Sequence, residues 1–464
     1  MRMAELLLLG FGLATSVAAC GCDGESAASG ASLPDAGAQD GAVADTTDQS
    51  DASDGSDASD PPDTSLPDAG SDGGGPDVSV EDAGLPDTGF DAGPWGGKTI
   101  DEPFTVDQIE LADTATQSGF RAEFYRNKAY TCGLSGWQTF VIVYPAGLGA
   151  GEERPLWVRL HGGGVGAFAS DGSYVPPNFY PDSIDEEQFT SLGNLANETG
   201  LVAKVRNHTA GFRFLMPSMC DHDVYSGVGV PEPNNPNSPD ENGKTRAADG
   251  LLATKAAIAF TRQKYATAHT FLHGTSAGSI GCFSVAYSFE RAGLSLSGIV
   301  MDSHVFSEAF KEIIAAGCTA YDSQLVAAKV GPMTDQENIP DRVVSRGDID
   351  VPIMHVWSRG DGSCCGETPI TFTDDQGQEQ TMGMCDYHHE ALRKAIAAAP
   401  PGGSSENLRM CVNAPGSGGG CNMHSPTKID YAEPDPDGDL DHGNRDYNQY
   451  IIDWVTQRLS GPKP

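Results

Sequence analysis

The chain has 464 residues, 65 acidic against 28 basic, for a formal net charge of −37. So negative a surface argues against nucleic acid as a partner, because phosphate binding needs clustered cations. Its length beyond a leader and a linker suits one large domain.

The leader comes first. Arg2 precedes an apolar run at 6–17 that ends in Val17-Ala18-Ala19-Cys20. The run is too short to span a bilayer and reads as an export signal. Val17-Ala18-Ala19-Cys20 resembles the lipobox of bacterial lipoproteins. The resemblance implies cleavage after residue 19, lipidation of Cys20, and a place at the cell envelope or surface. Membrane contact is then expected through the N-terminal lipid only.

The stretch 20–97 follows as a linker. Residues 21–97 hold 18 acidic residues and no Lys or Arg, with Pro-Asp-Ala-Gly at 34–37 and again at 67–70. Too little apolar surface is present to offset chain entropy, and the charges repel. An extended, disordered tether is predicted. The remaining 98–464 is still about 19 negative.

That remainder alternates short apolar runs with longer helical patterns. Strands are predicted at 139–144, 155–160, 212–216, 267–272, 296–301, 352–357 and 408–412. Helices are predicted at 244–265, 277–286, near 308–316, at 388–398 and at 447–459, and 184–199 reads as irregular and partly helical. In the helix at 244–265, Leu251, Leu252, Ala256, Ile258 and Ala259 should face the sheet. In the last helix Tyr450, Ile451, Trp454 and Val455 share one side. The alternation predicts an α/β fold with a mostly parallel sheet covered on both faces, of the α/β-hydrolase type. The Gly/Pro/Asn-rich stretch 222–245 reads as a loop over the strand ends.

Nine cysteines fall in this part: 132, 220, 282, 318, 364, 365, 385, 411 and 421. Export favours disulfides, no CxxC pair suggests structural zinc, and nine is odd, so one is free or Cys22 joins them. The adjacent Cys364 and Cys365 are expected to bond to different partners.

Chemistry concentrates at Gly274-Thr275-Ser276-Ala277-Gly278, a G-x-S-x-G between a strand and a helix. That is the pattern of a nucleophile elbow, with the serine hydroxyl expected to stand exposed at the top of the sheet. A serine nucleophile needs a histidine base and an acid to orient it, following in that chain order as acid, then histidine. Asp361 follows the strand at 352–357 and is the expected acid, with Asp302 as its rival. His424 is the expected base, with His442 as its rival. His273 lies too close to Ser276 in sequence to act on it and reads as structural, and His388 and His389 read as surface or packing residues. Gly162-Gly163-Gly164 after the strand at 155–160 matches an oxyanion loop. Backbone N–H groups of Gly163, Gly164 and Ala277 would face a developing alkoxide.

Several short motifs together resemble the pectin acetylesterases and the related Notum-type carboxylesterases. They are Gly162-Gly163-Gly164, the segment from Pro217 through Cys220 and Asp223 to Gly227, and Thr275-Ser276-Ala277-Gly278. Met301-Asp302-Ser303-His304-Val305-Phe306 and Cys421-Asn422-Met423-His424 complete the set. The resemblance spans roughly 130–460. It implies serine-esterase chemistry by Ser276, His424 and Asp361, with Asp302 structural, and acetyl esters on an extracellular polysaccharide such as pectin as substrate. Ser218-Met219 and Val165-Gly166 depart from the family pattern, which marks a divergent branch.

Two other classes fit the same residues. An extracellular polyester depolymerase uses the same triad, and a hydrolase-like binding protein would keep the fold with a dead site. Trp357, Tyr174, Tyr180 and Tyr225 are candidates to line the site. A monomer needing no cofactor is expected. Asp435, Asp437, Asp439 and Asp441 alternate as in a calcium loop but lack its closing Glu. An acidic surface loop is the plainer reading, and a structural calcium the alternative.

Overall fold

In the computed structural model the described residues are 99–132, 136–163, 165–175, 198–232, 234–238, 246–303, 338–358, 361, 369–373, 377–399, 405–410, 423–429 and 446–462. All of them belong to one compact unit. The leader, the tether at 20–97, Cys20, the helix expected near 308–316 and the four aspartates 435–441 lie outside the described residues, as do Gly164, Tyr180 and His442.

Nine strands make the main sheet. They are β1 (Ile109–Gln117), β2 (Phe120–Asn127), β3 (Gln138–Pro145), β4 (Arg154–Leu160), β5 (Arg213–Pro217), β6 (Thr267–Thr275), β7 (Gly298–Asp302), β8 (Ile353–Ser358) and β9 (Glu406–Met410). Their order is β1-β2-β3-β5-β4-β6-β7-β8-β9. The first three strands and β5 pair antiparallel, and every neighbouring pair from β5 through β4 to β9 is parallel. This is the α/β-hydrolase arrangement, a mixed and mostly parallel sheet with helices on both faces.

Period-two alternation builds two cores. Phe140, Ile142, Leu156, Val158 and Leu160 point to one face, and Val141, Val143 and Trp157 to the other. On the first face lie α2 (Gly250–Lys264), α3 (Ala277–Arg291), α4 (Pro340–Arg346) and α5 (Met384–Ala398), through residues such as Leu251, Phe283, Val343 and Leu392. On the second lie α1 (Gly200–Arg206) and α6 (Tyr447–Leu459), through Leu201, Val205, Ile451 and Trp454. The central strands are buried on both sides, so they read as continuous apolar runs.

The last helix keeps its predicted bounds, and its N-cap Asp446 accepts from the Gln449 N–H at 3.2 Å. The helix expected from 244 starts at Gly250 instead. Ala247–Ala248 pairs as a short bridge with Val230–Pro231, which draws those residues out of the helix. The stretch expected to be an open loop from 222 is buried almost without interruption to 232. Sequence reasoning missed β1 and β2. Their signal is the Ser118-Gly119 pair, both at positive φ (51° and 81°), which closes a two-residue hairpin.

Of the described cysteines, Cys132 and Cys220 form a disulfide across 88 residues, and Cys282 is the buried free thiol. Among the described residues no helix is long and apolar enough to cross a membrane.

Candidate active site

Because β4, β6, β7, β8 and β9 run parallel, their carboxyl ends share one edge of the sheet. Each predicted site residue follows one of those ends. Ser276 stands between β6 and α3 at φ 53°, ψ −124°. A non-glycine residue in that region costs about 1–3 kcal/mol and persists only when its surroundings over-determine it. Here the Ser276 N–H donates to the Asp302 carbonyl at 2.9 Å, and the Ser276 carbonyl accepts from the Ser279 N–H at 2.8 Å.

The two motif glycines are dictated by close approach. A Cβ on Gly274 would lie 1.9 Å from the Gly278 carbonyl oxygen, and one on Gly278 would lie 2.2 Å from the Leu160 carbonyl oxygen. Helix α3 therefore starts pressed against both β6 and the end of β4. Ser276 is buried rather than exposed, contrary to expectation. The glycine loop covers it: a Cβ built on Gly162 would stand 3.0 Å from Ser276 Cβ and 3.6 Å from Ser276 Oγ.

Asp361 and His424 are brought together. His424 Nδ1 lies 2.8 Å from Asp361 Oδ2, with the side chains 12% and 3% exposed. Such a contact fixes the ring's orientation. Asp302, the rival acid, is engaged elsewhere. Its carboxylate accepts from the Thr427 N–H at 3.1 Å, from the Thr427 hydroxyl, and from Ser303 Oγ at 2.9 Å. Burial pushes its pKa up to about 6, opposed by these donors and by His424.

His273 is structural, as expected. It is buried, its pKa held at about 3 by desolvation, and its Nε2 lies 3.1 Å from Thr427 Oγ1. The Thr427 hydroxyl gives its one proton to Asp302, so His273 must donate and is the neutral Nε2–H tautomer.

Of the expected oxyanion donors, Gly163 sits at φ 136° in the loop after β4, and Ala277 is the first residue of α3. N–H groups of a helix's first turn have no intrahelical acceptor, which leaves that of Ala277 open to an anion. The loop is braced from behind by Tyr225, whose hydroxyl accepts from the His161 N–H at 3.1 Å. Tyr225 belongs to a strained turn: Asp221, His222, Val224 and Tyr225 all have φ between 45° and 60°. The buried Asp223 carboxylate holds that turn, accepting from the N–H groups of Tyr225 (3.0 Å), Gly227 (3.1 Å) and Gly250 (2.7 Å). The Gly166 N–H also donates to the His222 carbonyl at 3.0 Å, tying the glycine loop to the turn.

Two candidates for lining the site are instead core residues. Trp357 is 1% exposed, stacks on His389 at 4.8 Å between centroids, and donates its indole N–H to Asn407 Oδ1 at 3.2 Å. Tyr225 is fully buried. His389 is a packing residue, its Nδ1 2.9 Å from His355 Nε2. Tyr174 is half-buried, with its hydroxyl on His222 Nδ1. Sequence reasoning missed the supporting roles of Thr427, Asp223 and Tyr225. Asp223 lies within the quoted segment from Pro217 to Gly227, and Thr427 three residues beyond the motif that ends at His424, but nothing in their identity announces a partner.

No protein-family model matches the chain, and no curated protein matches it. Solved structures do align with it. A putative acetyl xylan esterase from Bacteroides fragilis shares 10% identity at a TM-score of 0.37, over 77% of this chain and 84% of that one. Acetyl xylan esterase 1 from Thermoanaerobacterium shares 13% at 0.38, over 76% and 88%. Esterase B from Lactobacillus rhamnosis shares 14% at 0.39, over 75% and 88%. At identities and scores of this size, the strand order remains the ground for the fold class.

Proposed function

We propose that the chain is a serine carboxylic ester hydrolase in which Ser276 attacks, His424 moves the proton and Asp361 orients the ring. The observation that carries it is the 2.8 Å contact between His424 Nδ1 and Asp361 Oδ2, at the sheet edge that also bears the positive-φ Ser276. In the first half-reaction His424 takes the Ser276 proton as Oγ adds to the ester carbonyl. The tetrahedral oxyanion faces the N–H groups of Gly163, Gly164 and Ala277. The alcohol leaves with the proton from His424, and water, deprotonated by the same ring, releases the acid and restores Ser276.

The substrate proposed is an acetyl ester on an extracellular polysaccharide such as pectin, which rests on the motif resemblance. Acting at the cell surface rests on the lipobox-like Val17-Ala18-Ala19-Cys20 and on the acidic tether at 20–97, with 98–464 as the catalytic domain. A tethered lipoprotein meets polymers that cannot cross a membrane. Acetylated pectin, acetylated xylan and polyhydroxybutyrate offered side by side test this. Acetate from the polysaccharides supports it; hydroxybutyrate with no acetate overturns it in favour of a polyester depolymerase. Mass analysis of the mature N-terminus tests the lipid on Cys20.

A further inference from the structure

Asp302 occupies a junction that the three acyl-transfer residues do not explain. It ends β7, and it touches both halves of the site through different atoms. Its main-chain carbonyl accepts the Ser276 N–H at 2.9 Å, so it holds the elbow. Its carboxylate accepts the Thr427 N–H at 3.1 Å and the Thr427 hydroxyl, so it holds the chain three residues past His424. Ser303, the next residue, donates from Oγ to Asp302 Oδ1 at 2.9 Å and accepts the Ser425 N–H at 2.8 Å. Ser425 immediately follows His424, at φ 58°. The segment after His424 is therefore tied at Thr427 to the residue that also fixes the nucleophile's backbone, and at Ser425 to Ser303 beside it.

We propose that Asp302 is a positioning residue that registers His424 against Ser276, and that its negative charge supports the imidazolium formed during the reaction. This rests on the assignment of Ser276 and His424 made above.

Burying a carboxylate is costly, and three donors plus the nearby His424 oppose that cost. An amide would accept the same donors with less desolvation cost. A charge becomes useful if a positive partner appears beside it, and His424 becomes positive on each proton transfer. Among the described residues, the charged and titratable groups around Asp302 are few. They are His424 itself, Asp361 bonded to Nδ1 of that ring, and His273 on β6, reached through Thr427, which Arg159 on β4 helps keep neutral. Asp361 orients the ring directly, whereas Asp302 holds the chain three residues beyond it.

The test compares wild type, Asp302→Asn and Ser303→Ala. It reads kcat and KM for p-nitrophenyl acetate against pH, thermal stability, and the His424 ring titration by NMR. In D302N, kcat should fall about 10- to 100-fold with KM within about twofold, as a small misplacement of a catalytic group does. The His424 pKa should fall by about half to one unit as the neighbouring charge is lost. In S303A one strut goes and the charge stays, so kcat should fall several-fold with the His424 pKa unmoved. In D302N, a structural role alone would lower stability and kcat together and leave that pKa alone, and this result overturns the proposal. So does a D302N enzyme with wild-type kcat, or an S303A enzyme indistinguishable from wild type. If D302N does not fold, S303A decides. If wild type shows no esterase activity, the esterase assignment fails, and the His424 titration in D302N still answers for Asp302.

Discussion

Replacing Asp223 with alanine removes the acceptor of three buried backbone N–H groups at one stroke, those of Tyr225, Gly227 and Gly250. Hydrogen bonds to a charged group are worth about 1.5–3 kcal/mol each, so the gross loss is about 4–9 kcal/mol. Relief from burying an ionised carboxylate offsets several kcal/mol of this. Gly227 and Gly250 carry no side chain that could take over. A Cβ on either would lie within 2.2 Å of the Asp223 carboxylate. The net cost of D223A is expected to be about 3–5 kcal/mol, what remains of the lost hydrogen bonds after that offset. That is a large part of the 5–15 kcal/mol typical of a folded domain. The four positive-φ residues at 221, 222, 224 and 225 then have less to hold them, so the Tyr225–His161 brace should loosen and activity fall further than stability alone predicts. Equilibrium urea unfolding, followed by the fluorescence of buried Trp157 and Trp357, gives the difference. D223N, which keeps one acceptor oxygen, should fall between the two. A D223A loss below about 1 kcal/mol would refute the reasoning, since three orphaned buried N–H groups cannot be that cheap.

Asp361→Asn should lower kcat by about 10³–10⁴ with little change in KM, as it removes the carboxylate that orients His424; steady-state kinetics on p-nitrophenyl acetate checks it. The pH dependence of stability follows from four histidines that burial holds neutral, His161 and His388 at about 4 and His273 and His355 at about 3, against an ordinary value near 6.5. Between pH 6.5 and 4 the unfolded chain binds protons that the folded chain refuses. Each histidine therefore withdraws on the order of 1–3 kcal/mol as pH falls, and Tm should drop across that window. Asp302 acts in the opposite sense, because its raised value near 6 favours the folded state as pH falls through 6. A Tm that stays flat from pH 7 to 4.5, or a His355→Gln variant that loses stability equally at both ends, contradicts this account.

The sheet's centre was legible because strands such as β3, β4 and β7 are largely buried and carry apolar runs such as 140–143, 155–158 and 299–301. The edge hairpin β1–β2 was not. Its exposed positions hold Glu110, Asp113 and Arg121, and only the Ser118-Gly119 turn announces it. The elbow was legible because backbone contact at Gly274 and Gly278 leaves no choice of residue. Likewise Asp361 and His424 could be placed because each follows a parallel strand whose end reaches the same edge. Aromatic residues misled for a physical reason. A tryptophan near a strand end stacks as readily on a buried His389 as on a ligand, and identity alone does not tell the two apart. The ties made by Asp302, Ser303 and Thr427 span more than 120 residues of sequence, and no local pattern encodes such a distance.

The central claim, that Ser276 is an activated nucleophile, is tested most directly by reaction with a p-nitrophenyl phosphonate followed by peptide mass analysis. The wild-type chain should take up one phosphonyl group, on Ser276. His424→Ala should react at least about a hundredfold more slowly, because the serine has lost its base. Hydrolysis of p-nitrophenyl acetate should stop in step with labelling. A wild-type chain that stays unlabelled under conditions where it is folded, or that is labelled elsewhere while Ser276 is untouched, would contradict the account.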